Sequence, residues 1–113
     1  MHAPFSGGSA PVTAGWIRPK RPAARRDAAF LATCADTWWP ALYTVLDAPR
    51  PMATLAFGFQ PLGDCAGLEP DAPLLVRGAV QAVHGGYSVE FRELWGHDGR
   101  LLALSQQTFG VLK

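Results

Sequence analysis

The sequence predicts an α+β domain in which one long helix lies across a curved antiparallel sheet of about five strands. Three observations carry this. Residues 28–46 have almost no polar face, as expected of a helix buried nearly all round. Beyond residue 51 the chain alternates apolar and polar side chains in runs of strand length. The turn signals His84-Gly85-Gly86 and Asp98-Gly99 divide the later runs into a plain antiparallel meander.

Size and composition bound the rest. The chain has 113 residues, enough for one domain. Residues 1–13 are rich in Pro, Gly, Ser and Ala and read as a linker, which leaves 14–113 as a single domain. Hydrophobic residues make up 49% and charged residues 17%, against about 25% charged in a typical soluble domain. A disordered chain is excluded. No run approaches the roughly 18 apolar residues of a spanning helix, so no membrane partner is expected. A net charge of +1 is too neutral for a protein whose task is to grip nucleic acid. So small a domain needs much polar surface, and its shortage implies that another subunit or domain covers one face.

Cys34 and Cys65 have neither metal spacing nor a disulfide framework and read as buried or inert thiols. The N-terminus has no charged segment leading into an apolar one, so the expected compartment is the cytoplasm.

The elements follow in order. Gly15-Trp16-Ile17-Arg18 is a short strand, stopped by Pro19 and Pro22. Half of the basic residues fall in the next stretch, as Arg18, Lys20, Arg21, Arg25 and Arg26. This run is a solvated loop or a contact for an anionic tail. Asp27 is the N-cap of the helix. Pro40 removes the amide that would bond to the carbonyl of Asp36. The helix should therefore kink or restart there, run on through residues 41–46 and end before Pro49.

The strand at 52–60 places Ala53, Leu55, Phe57 and Phe59 on one face, and Thr54, Ala56, Gly58 and Gln60 on the other. Residues 61–73 are a loop, and 74–83 a strand. The strand at 87–95 sets Tyr87, Val89, Phe91 and Trp95 opposite Ser88, Glu90 and Arg92. The last strand, 101–112, is apolar on both sides and belongs in a sheet covered on both faces.

Three residues stand out chemically. Asp36 lies mid-helix in an apolar segment, either as a costly buried carboxylate or on the helix's one wet edge. Thr54 shares a strand face with the small residues Ala56 and Gly58, which leaves room for a ligand, or is an ordinary strand threonine. Gln107 sits among Ala103, Phe109 and Val111 and needs hydrogen-bond partners, whether in a core, an interface or a site. His2, His84 and His97 fall in the linker and at turns, with no spacing that argues for a metal or a triad.

The order of these features resembles the C-terminal half of the acyl-CoA thioesterase II-like proteins, which contain two hot-dog domains. The resemblance covers about residues 4–113. It rests on Gly15-Trp16-Ile17-Arg18, on Ala35-Asp36 followed by Trp-Trp-Pro-Ala-Leu, on Ala53-Thr54-Leu55 and on Gly86-Tyr87. The stretch from Glu93 to Gln107 is its most specific part. After the threonine the family often carries an acidic residue and a histidine, where Ala56 and Phe59-Gln60-Pro61 stand here.

The resemblance implies a hot-dog fold, with the central helix wrapped by the sheet, and an acyl-CoA or related acyl thioester of fatty acid metabolism as substrate. It implies that Asp36, Thr54 and Gln107 orient a hydrolytic water. Gly58, on the strand face with room for a ligand, and Trp38 and Trp39, whose packing would set the depth of an acyl tunnel, are the expected substrate-binding residues. Such chemistry needs neither a metal nor a cofactor. It also implies a homodimer or pairing with another hot-dog domain. The alternative is a non-catalytic hot-dog domain that binds an acyl group or pairs with another hot-dog polypeptide.

Overall fold

The computed structural model describes residues 3–21 and 25–112; His2 and Pro22, noted above, lie outside them. Among these residues the strands are β1 (Val12–Ile17), β2 (Met52–Pro61), β3 (Leu74–His84), β4 (Tyr87–Gly96) and β5 (Leu101–Val111). One α-helix, α1 (Ala28–Ala35), and a 3₁₀ turn, Ala41–Thr44, lie between β1 and β2. The strands form one antiparallel sheet in the order β1-β3-β4-β5-β2.

The turn signals act as predicted. Gly85 and Gly86 take φ of +58° and +85° between β3 and β4, a region open to glycine at little cost. At the next hairpin Gly99 has φ +89°, and the Arg100 Nε donates to Asp98 Oδ2 at 2.7 Å. The first strand begins at Val12, three residues earlier than the sequence predicts, and pairs with β3 from Val12↔Ala79 to Ile17↔Leu74. Phe5 and Gly8 also donate backbone hydrogen bonds, to Tyr43 and Thr44.

The predicted N-cap is in place: Asp27 Oδ1 accepts from the Phe30 amide at 3.1 Å. The helix, however, is short. It ends at Ala35, and Asp36 is its C-cap rather than a mid-helix residue. Pro40 disfavours helical backbone at Trp39. Upstream, the Thr37 hydroxyl donates to the Cys34 carbonyl at 2.8 Å, while the Arg92 guanidinium occupies the carbonyls of Ala35, Trp38 and Trp39. Carbonyls that a continuing helix would use are thus committed elsewhere. The chain resumes only as the 3₁₀ turn.

The inner face of the sheet is the one that α1 covers, on β5, β4 and β2. Leu31 and Cys34 of α1 pack there with Leu74, Val76, Leu94, Leu102 and Ala103. β4 alternates strictly, whereas β2 does not. In β4 the inward set is Ser88, Glu90 and Arg92, all buried, followed by the core residue Leu94, while Tyr87 and Phe91 are 55% and 49% exposed on the outer face. In β2 a bulge at Leu55 shifts the register, so that Thr54 faces Phe109 and Phe57 faces Gln107. Thr54 consequently shares the inner face with Phe57, and not the face of Ala56 and Gly58.

Candidate active site

Gln107 is carried inward by the alternation of β5 and is 7% exposed. Its Nε2 donates to Thr54 Oγ1 at 2.7 Å. Thr54 is exposed, on the edge strand β2. The bulge brings these two predicted residues together, since it turns the threonine to the side that Gln107 occupies.

Asp36 is exposed at the C-terminal end of α1. Among the described residues no hydrogen bond joins its carboxylate to Thr54 or Gln107. Its backbone amide bonds to the Thr33 carbonyl at 3.2 Å, closing the last turn. The costly buried carboxylate that the sequence allowed is not found.

The tryptophans anchor the segment after Asp36. The Trp38 Nε1 donates to Thr13 Oγ1 at 2.7 Å. Its ring lies so close to Gly15 that a Cβ there would overlap the indole at Cη2. Trp39 stacks on Trp38 with ring centroids 4.1 Å apart, and its indole Nε1 is buried without a hydrogen-bond partner among the described residues.

Gly58 is not part of this group. It pairs with Gln106 on the outer face. It lines an outer concavity of about 570 Å³ with Gln60, Arg77, Ala79, Phe91 and Leu104, a hollow that contains none of Asp36, Thr54 and Gln107. The bonded Thr54–Gln107 pair is the better guide to chemistry, because it joins groups able to hold a water or a carbonyl oxygen.

Sequence reasoning missed Glu90 and Arg92, which are 1% and 3% exposed. Glu90 Oε1 accepts from the Ala41 amide and Oε2 from the Arg92 guanidinium, with Nε at 2.8 Å. Arg92 Nη1 donates to the carbonyls of Ala35 at 2.8 Å and Trp38 at 3.1 Å. Opposite charges two apart on one strand face were the available signal, together with the glycine, Gly78, that pairs with Arg92.

The other reactive groups stand apart. Burial pushes the Cys34 thiol up to about 11 and raises Cys65 as well, so neither is poised as a nucleophile. His84 and His97 are exposed at turns. Among the described residues no three His, Cys, Asp or Glu side chains are grouped to hold a metal ion. No helix among them is long and apolar enough to cross a membrane.

Comparison with known proteins gives a consistent picture. The family model described as acyl-CoA thioesterase C-terminal domain matches residues 1–111. A conserved protein of unknown function with a hot-dog fold from Alicyclobacillus acidocaldarius is similar at 28% identity and a TM-score of 0.86, over 100% of this chain and 43% of that one. A putative thioesterase from Novosphingobium aromaticivorans is 26% identical, with a TM-score of 0.75 over 99% and 41%. An acyl-CoA thioesterase II from Mycobacterium marinum, 20% identical with a TM-score of 0.62 over 96% and 44%, shares the fold. The chain spans less than half the length of each of these three proteins. No curated protein matches it. The architecture is the hot-dog fold.

Proposed function

The chain belongs to the acyl-CoA thioesterase C-terminal domain family, and on that premise we propose that it hydrolyses an acyl thioester, with an acyl-CoA as substrate. The observation that carries the reading is the hydrogen bond between Gln107 Nε2 and Thr54 Oγ1 on the face that α1 covers.

In this proposal Asp36 is the general base, and its exposure leaves the carboxylate free to meet a water. Thr54 and Gln107 hold that water. As its oxygen attacks the thioester carbonyl carbon, Asp36 takes the proton. Hydrogen-bond donors stabilise the oxyanion, the C–S bond then breaks, and the thiol leaves with a proton. Trp38 and Trp39 flank the acyl group. Gly58 stands apart from this group, on the wall of the hollow in the opposite face.

A second hot-dog domain belongs to the same proposal. β2 is an edge strand of ten residues, and among the described residues no strand pairs with its outer side, next to Thr54. A second copy, or a separate hot-dog polypeptide, paired along that edge would wall the open side of the site. Two free, buried thiols fit a reducing compartment, the cytoplasm.

The open edge also favours a second reading, a domain that pairs with another hot-dog polypeptide and binds an acyl group without hydrolysis. Thiol release from a panel running from acetyl-CoA to palmitoyl-CoA decides between them. Release by the wild type that disappears in Asp36→Asn is the expected outcome. Equal release by both places the base elsewhere, and none by either supports the binding reading.

A further inference from the structure

We infer that Arg92 and Glu90 are positioning residues, a buried pair that sets where Asp36 stands relative to the Thr54–Gln107 pair. The inference rests on the hydrolytic reading above and deepens it.

The guanidinium uses all five of its N–H donors. Nε and one Nη2 proton go to Glu90 Oε2, two Nη1 protons to the carbonyls of Ala35 and Trp38, and the last to the Trp39 carbonyl at 3.2 Å. Three of these bonds fasten the backbone on either side of Asp36. The other carboxylate oxygen of Glu90 holds the Ala41 amide, where the 3₁₀ turn begins. The segment from the end of α1 to that turn is thus tied to β4 at both ends.

The same strand reaches the other half of the site. Glu90 and Gln107 are direct register partners across β4 and β5, and Arg92 pairs with Ser105. A chain of contacts therefore runs from the carbonyl preceding Asp36, through Arg92 and Glu90, to the strand that carries Gln107. Room for the pair comes from Gly78 on β3, where a Cβ would stand 2.9 Å from Glu90 Oε2. A buried charge pair is costly to desolvate, and a network that satisfies every proton is how such a pair is retained. Lysine keeps the charge but has neither the fork nor five donors.

The test is Arg92→Lys, made alone and combined with Asp36→Asn. Thermal melting, amide hydrogen exchange, and kcat and KM for acyl-CoA hydrolysis are measured on each. In Arg92→Lys, exchange should quicken at residues 36–41 while the sheet amides stay protected. The value of kcat should fall roughly tenfold or more, the scale on which small misplacements act, with KM within about twofold. Added to Asp36→Asn, the change should cost nothing further, because Arg92 acts through Asp36.

An unchanged kcat, unchanged exchange at 36–41, or the same fractional loss in both backgrounds overturns the inference. If Arg92→Lys does not fold, Gly78→Ala, which keeps both charges and displaces the Glu90 carboxylate, is read against the same outcomes. Wild-type protein that releases no thiol, or Asp36→Asn at full rate, sinks the hydrolytic reading itself and this inference with it.

Discussion

Gln107 and Thr54 are joined by a 2.7 Å hydrogen bond although they are not partners in the ladder, where Gln107 faces Phe57 and Thr54 faces Phe109. The bond links diagonal neighbours on one face. Replacing the Thr54 hydroxyl by a methyl group in Thr54→Val leaves the Gln107 amide without this acceptor. Thr54 is exposed, so water can substitute, and the stability loss should be about 1 kcal/mol or less. Hydrolysis should fall about 100-fold, the cost of losing a group that holds the reacting water or the oxyanion. Thr54→Ser should recover most of it. Steady-state kinetics beside thermal melts check both halves.

Asp36→Asn separates activity from stability. Asp36 is the C-cap of α1, where the negative end of the helix dipole meets its carboxylate. Removing the charge should raise Tm slightly, and asparagine is well tolerated at a helix end. Hydrolysis should drop by about 10² to 10⁴. A lower Tm would contradict the end-of-helix placement.

Gly15 is the seat of Trp38. In Gly15→Ala the new methyl group would overlap the indole, which must move and give up its 2.7 Å bond to Thr13. Overpacking of this kind costs about 1–3 kcal/mol, a fall in Tm of roughly 5–20 °C for a domain of this size. Tryptophan emission should shift to the red as the ring becomes wetter. An unchanged melt and spectrum would count against the contact.

Cys34 sets an alkaline limit. Burial pushes its thiol from the ordinary 9.0 up to about 11. Between these values the unfolded chain gives up the proton that the folded chain keeps. Stability should therefore be fully present below pH 9 and decline as the pH rises towards 11. Cys34→Ser should flatten that part of the profile. Denaturant titrations from pH 8 to 11 measure it, and equal slopes in both proteins would refute the assignment.

Much of the fold was legible in the sequence because local signals and tertiary demands agree. The two glycine turns, the Asp27 cap and the runs of alternating residues each have a short-range cause. The misreadings have long-range causes. The length of α1 depends on Arg92, more than fifty residues later, which takes the carbonyls that the helix would have used. Alternation alone left open which face of β4 points inward, because it cannot tell a buried ion pair such as Glu90 and Arg92 from a wet face. In the candidate site, Thr54 and Gln107 could be paired through the resemblance alone, since strict alternation set Thr54 on the wrong side of a strand that the bulge re-aims. For Asp36 the apolar neighbours left a buried carboxylate and a wet edge equally open, and its backbone position at the helix end, which exposes it, decides for the wet side.

The strand order also imposes a timetable on synthesis. β1 and β2 are made early, yet their partners are β3 and β5, with Val12 meeting Ala79 and Met52 meeting Val111. The two borders of the sheet leave the ribosome before its middle exists and must wait, unzipped, for the meander to form. Asp36 and Thr54 are on the waiting part, and Gln107 comes in the last strand. Until that strand has emerged, the nascent chain holds two of the three residues with nothing to bring them together.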